Sequence, residues 1–164
     1  MRADDGLLQP PRIRHRVLEC SDQLEVRETA VPAEHQTAFD HQLALPTAAI
    51  APDRDFGGQR FHLYRAHEHE GTQIDIDDLG FGPATNDLAE VRTVNGGRID
   101  TPTRTDNRLL FAFVLRGSCR VHLADQEHAL QRGAAVTIPA GQTHAFTDAS
   151  PDCRLLRVRL RQPV

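Results

Sequence analysis

The chain has 164 residues, 39% of them hydrophobic and 26% charged, with a formal net charge of −4. That length suits one domain with an appendage and is enough to bury a real core. The acidic balance excludes the electrostatic footprint of a nucleic-acid or anionic-membrane binder, and because all the basic residues are Arg, lysine Schiff-base chemistry is excluded too.

Taken in chain order, residues 12–18 and 23–29 alternate apolar and polar side chains, which predicts two strands joined at Ser21-Asp22. Residues 33–42 are expected to hold a short helical turn. Residues 43–60 carry Pro46, Pro52, Gly57 and Gly58 and read as linker, so that 33–60 as a whole connects an N-terminal piece, 1–32, to a main domain, 61–164. Regular structure resumes at Arg60 to Tyr64. Strands are then expected at 72–77, 88–94, 109–115, 118–124, 126–130, 134–138, 144–147 and 154–160, with turns at Gly96-Gly97, Gly117 and Gly133. The continuous apolar run at 109–115 is that of a strand buried on both faces. So many short strands with frequent turns predict an all-β jelly roll or sandwich.

The cysteines are Cys20, Cys119 and Cys153, an odd count without a CxxC. Residues 1–10 lack the apolar stretch of a signal peptide, and no run approaches the roughly 20 apolar residues of a membrane span. A reduced, cytoplasmic protein is the expectation, with Cys119 and Cys153 as small buried hydrophobes. His67-Glu68-His69-Glu70 reads as a solvated polar turn; the rival is a surface Zn or Ni site, if both imidazoles share one strand face. Asp75, Asp77 and Asp78 lack the ligand number of a Ca site. Residues 80–85 contain two glycines but precede a strand rather than a helix and form no phosphate loop. Ser118 and Ser150 have no nucleophile-elbow context.

The most specific stretch is 133–148. Gly133, five residues, Pro139, one residue, Gly141, two residues, His144, three residues and Asp148 form a strand, a tight turn set by Pro and Gly, and a His at the start of the next strand. Upstream, Gly97, Thr103, Thr105, Leu110 and Gly117 are spaced as Gly, five residues, X-x-X, four residues, X, six residues, Gly. Together these resemble the paired motifs of the cupin family, clearly over 61–164 and partially over 1–32. The resemblance implies a cupin-type jelly-roll β-barrel with an N-terminal strand extension. In metal-binding cupins the second motif supplies one His ligand, here His144, and usually ends in Asn. The first supplies two His and a Glu, where this chain has Thr103, Thr105 and Leu110, which cannot replace two imidazoles and a carboxylate. A lone His144 is expected either to be held by a hydrogen bond or to find substitute partners, of which Asp106 and His122 are the set to consider.

Pro10 to His15 also matches Pro139 to His144, and Ser21, Leu24 and Val26 fall on Ser150, Cys153 and Leu155. The chain thus resembles a bicupin reduced to its second domain, with 1–32 as remnant strands of the first, His15 at the ligand position of its second motif and Glu19 at the closing position. Three outcomes are open for that segment: packing on the barrel, swapping into a second subunit, or an upstream start that this chain lacks.

The reading that follows is a cupin with a degenerate metal site and no cofactor. Thr103, Thr105, Leu110 and His144 would line a cavity for a small molecule, or the domain would be the structural half of a bicupin, as a homodimer. One alternative is a metal-dependent oxygenase or lyase, with Fe, Mn, Ni or Zn held by His144, His122 and Asp106. The other is an assembly module pairing through residues 1–32.

Overall fold

A computed structural model describes residues 1–31, 34, 51, 53–69, 75–96, 102–106 and 108–161. The strands are β1 (Gly6–Leu8), β2 (His62–Tyr64), β3 (Ile76–Asp78), β4 (Ala89–Asn95), β5 (Thr103–Arg104), β6 (Leu109–Arg116), β7 (Ser118–Leu123), β8 (Gln126–Gln131), β9 (Ala135–Pro139), β10 (Thr143–Thr147) and β11 (Arg154–Leu160). Two antiparallel sheets, β3-β4-β11-β6-β9 and β5-β10-β7-β8, face each other, and β1-β2 forms a small third sheet. This is the expected all-β jelly roll. The helical turn expected at 33–42 and Gly97 lie outside the described residues, apart from Glu34.

The space between the two large sheets is filled from alternate strand positions. Leu110, Ala112 and Val114 of β6 point inward with Cys119 and Val121 of β7, Leu130, Ile138, Phe146, Cys153 and Leu155. Leu110, Val114, Val121 and Ile138 are at most 1% exposed. The intervening positions of the five-stranded sheet are covered as well. Phe111, Leu156, Val158 and Leu160 pack with Val91 beneath Leu8, Tyr64, Leu79 and Phe81. That second layer is why 109–115 is apolar throughout.

Two features depart from expectation. Residues 12–18 and 23–29 are not strands; they run exposed over the surface. Alternation alone does not make a strand: a ladder must also form with a neighbour, and these residues join none of the sheets. The strand that does form in the N-terminal piece is Gly6–Leu8, paired with His62–Tyr64. Asp4 secures it by accepting from Arg116 and Arg154, both at 2.7 Å. Second, residues 81–84, where no helix is expected, are a single helical turn, α1 (Phe81–Ala84), whose first turn tolerates Pro83. The solvated turn expected at 67–70 is met over Ala66–His69, a 3-10 turn in which His67 and His69 do not share a strand face; both are exposed, and His69 stacks on Tyr64 with centroids 5.0 Å apart.

Candidate functional site

The turn between β9 and β10 carries the second motif. Gly141 has φ +80°, which a side chain would strain. From this turn Gly141 N–H donates to Thr105 O at 2.7 Å, and Thr105 N–H donates to Gln142 O at 3.0 Å. The turn thus fixes the backbone of Thr105 beside β10. Thr103 lies opposite His144 in the β5–β10 ladder, so Thr103, Thr105 and His144 share one face. Gly117, which closes the first motif, has φ +63°, and a Cβ there would collide with Ser150 Oγ and stand 2.8 Å from Cys153 Cα. Asp148, which ends the second motif, has φ +49°, a conformation that Asn and Asp tolerate best among residues with side chains.

Of the positions singled out in the sequence, Thr105 and His144 meet. Thr105 Oγ1 is hydrogen-bonded to His144 Nδ1 at 3.1 Å, with the residues 4% and 6% exposed. Leu110 is 1% exposed and belongs to the core between the sheets. Thr103 is exposed. None of the four lines either of the two best-formed clefts. His122 is not brought to His144. It lies opposite Ala145, one position off the face shared by His144, Phe146 and Val121. There Nε2 bonds Thr147 Oγ1 at 2.9 Å and stands 3.4 Å from Glu127. Asp106 is exposed. The set His144, His122 and Asp106 therefore does not converge, because the strand alternation that turns His144 inward turns His122 out. Among the described residues no group of three or more His, Cys, Asp or Glu side chains is arranged to hold a metal ion. Two hydroxyls, a leucine and one imidazole already bonded to a hydroxyl do not fit the divalent ion that the cupin motifs imply.

Sequence reasoning missed the charged part of the same interior. On β11, Arg157 and Arg159 point inward while Val158 and Leu160 point to the outer layer. Arg159 lies opposite Glu90 on β4 and Leu110 on β6, and Arg157 opposite Arg92 and Ala112. Glu90, 7% exposed, pairs with Arg92, and its Oε2 stands 3.7 Å from Arg159 and 3.8 Å from Arg161. Arg92 also pairs with Asp78 at 3.0 Å. Arg157, 9% exposed, lies 4.7 Å above the ring of Phe146, which meets His144 edge-on at 5.9 Å. The residues Ile76, Glu90, Arg92, Val94, Arg157 and Arg159 line a small open cleft with room for little more than a water. The signal was present as Arg at 157, 159 and 161 with period two.

The thiols of Cys119 and Cys153 are both buried, and burial, first among the causes, raises both, Cys119 to about 12. Tyr64 O–H donates to Asp77, and burial followed by that bond raises its pKa.

The family profile described as "Cupin domain" matches residues 90–158. No functionally curated protein matches the chain. Among solved structures, KdgF from Halomonas sp. is similar at 18% identity with a TM-score of 0.51, covering 61% of this chain and 93% of that one. A cupin superfamily protein from Desulfitobacterium hafniense is similar at 16% identity and TM-score 0.46, covering 72% and 95%. A conserved protein of unknown function from Streptococcus pyogenes is similar at 17% identity and TM-score 0.41, covering 46% of this chain, which spans 65% of its length. The profile match, the spacing of Gly117, Gly133, Gly141 and His144, and the two facing antiparallel sheets agree, and residues 90–158 form a domain of the cupin superfamily.

Proposed function

We propose that this cupin binds a small molecule in its barrel without a motif-held metal and acts as a binding or structural module, not as a metal-dependent oxygenase or lyase. The observation that carries this reading is the bond between Thr105 and His144 Nδ1, beside a Leu110 buried in the core. At these positions a cupin metal centre would need imidazoles and a carboxylate converging on one point within about 2.0–2.2 Å. The test is metal content by elemental mass spectrometry, after growth with Fe, Mn, Ni and Zn supplied. Metal-free, folded, monodisperse protein is expected. Near-stoichiometric metal that disappears in His144→Ala would overturn the reading.

A second reading, assembly through residues 1–32 in a cytoplasmic homodimer or as half of a bicupin, draws support from Val17, Leu18, Leu24 and Val26, which are 54–74% exposed. Residues 4–8 are tied to their own barrel, so deletion of 9–31 is the cleaner test. Unchanged mass in solution and unchanged melting temperature after that deletion would refute assembly.

A further inference from the structure

We propose that Cys119 and Cys153 form a modification site, a buried dithiol that closes to a disulfide between the two large sheets when hydrogen peroxide supplies the oxidant. The site is independent of what the barrel binds. Cys119 lies on β7 of the four-stranded sheet, and Cys153 stands one residue before β11 of the five-stranded sheet. Both are 3% exposed, and both belong to the core between the sheets. Their side chains meet there, the thiol of Cys119 hydrogen-bonded to that of Cys153.

The backbone around Cys153 is built for close approach. Cys153 N–H donates to Ser150 O at 2.9 Å, and Ser150 N–H donates to Ser118 O at 2.9 Å, so the turn over 150–153 is tied to the residue beside Cys119. Gly117 presses on Cys153 Cα and Gly96 on its Cβ; a Cβ added at either glycine would stand 2.8 Å and 3.1 Å away, respectively. Two glycines and a bonded turn thus hold Cys153 against the strand that carries its partner. Packing alone asks only for a small apolar side chain at each place. Two thiols in contact from separate sheets meet a further condition, that of a cross-link made without moving the backbone.

The surroundings also select the sulfur that reacts first. Cys119, Cys153, Phe146 and Arg157 share the wall of a small open cleft. Burial raises both thiols, while Arg157 favours the thiolate of each and the bond from Cys119 favours that of Cys153 alone. Cys153 is therefore the attacking sulfur. Its attack on one peroxide oxygen breaks the O–O bond and gives a sulfenic acid, and the departing hydroxide takes the thiol proton to become water. The Cys119 sulfur then displaces the sulfenic hydroxyl, which leaves with the Cys119 proton as a second water. Two thiols and one peroxide become one disulfide and two waters; each sulfur loses one electron and the peroxide gains both. Raised thiols make the reaction slow, so the bond acts as a lasting lock and not as a rapid sensor.

The experiment uses the full chain with Cys20→Ser, which removes the exposed thiol. After incubation with hydrogen peroxide, the protein is followed by intact mass, thiol count after denaturation, non-reducing peptide map and thermal scan. The mass should fall by two hydrogens, both thiols should disappear, and the map should join the peptides that hold Cys119 and Cys153. The bond closes the chain from 119 to 153 and restricts the unfolded state, so the melting temperature should rise by roughly 5 °C or more. Dithiothreitol should reverse every change. Cys119→Ala in the same background should show neither the mass loss nor the reversible rise; if that variant does not fold, the peptide map of the Cys20→Ser protein decides alone. Thiols that gain oxygen without joining, bonds between two chains, or a joined protein that melts lower would each overturn the proposal. So would survival of both thiols in peroxide that fully oxidises Cys20 of the unsubstituted chain.

Discussion

Thr105→Val changes the candidate site with the least disturbance of shape. Valine keeps the branched outline of threonine and replaces the hydroxyl by a methyl. The backbone bonds of Thr105 to Gly141 and Gln142 are untouched. What is lost is the 3.1 Å bond to His144 Nδ1, between residues 4% and 6% exposed. Removing one partner of a buried pair costs about 1–3 kcal/mol in desolvation of the group left behind. The added methyl returns up to about 0.8 kcal/mol of burial. The net loss should be about 1–2 kcal/mol. In guanidinium denaturation that appears as a lower midpoint at unchanged slope, and in a thermal scan as a fall of roughly 2–8 °C for a chain of this size. Thr103→Val is the control, since Thr103 shares the face but is exposed; it should stay within about 0.5 kcal/mol. Equal effects of the two substitutions would refute the claim that the hydroxyl of Thr105 holds His144.

Replacing Thr103, Thr105 and Leu110 by His, His and Glu should destabilise the metal-free protein, because the Glu would stand where Leu110 is 1% exposed. Adding Zn or Ni should restore the melting temperature, and no binding in a folded triple variant would count against the register that places these residues with His144. Thiol alkylation near pH 8 should label Cys20 alone in the native protein and all three cysteines after denaturation. With Cys119 at about 12, its thiolate is only about one part in ten thousand there, so prompt labelling of Cys119 in folded protein would refute its burial. Asp5 is held below its ordinary 3.8, first by the N–H of Arg2 and further by that of Ala66, against partial burial. A lowered carboxyl contributes stability that is full above 3.8 and is lost as pH falls through the lower folded value. The protection of β1 and β2 amides relative to their intrinsic exchange rates should therefore fall below about pH 4 in the wild type, and Asp5→Asn should show that lower protection already at neutral pH. The same acid response in both proteins would dismiss Asp5 as the group responsible.

The barrel was legible because its strands have a half-buried or doubly buried pattern that period-two reading detects; 154–160 is a strand over those very residues. The motif glycines were legible because Gly117 and Gly141 answer to local geometry, a positive φ in each and a crowded Cβ position at Gly117, which spacing alone reveals. Residues 12–29 misled because alternation is necessary for a strand but a partner edge is also required, and edges are a property of the assembled sheet. The fate of His122 depended on parity. It is one residue removed from Val121, and only the ladder to Ala145 decides which of them turns inward. Arg157 and Arg159 escaped notice for a related reason. Their alternation with Val158 and Leu160 marks two faces without saying which one faces the barrel interior. Both faces of this sheet are covered, so polarity could not tell inside from outside.

β11 is the hinge of that ambiguity. Its even positions, Leu156, Val158 and Leu160, are pinned under the outer layer, while Leu155, Arg157 and Arg159 face the opposing sheet. A one-residue slip would drive guanidinium groups beneath Tyr64 and Phe81 and turn Val158 toward Glu90. The strand is therefore intolerant of insertion or deletion, since both of its faces are committed. Two interiors are thus written on alternate letters of one seven-residue word, an apolar one under the outer layer and a partly charged one between the sheets.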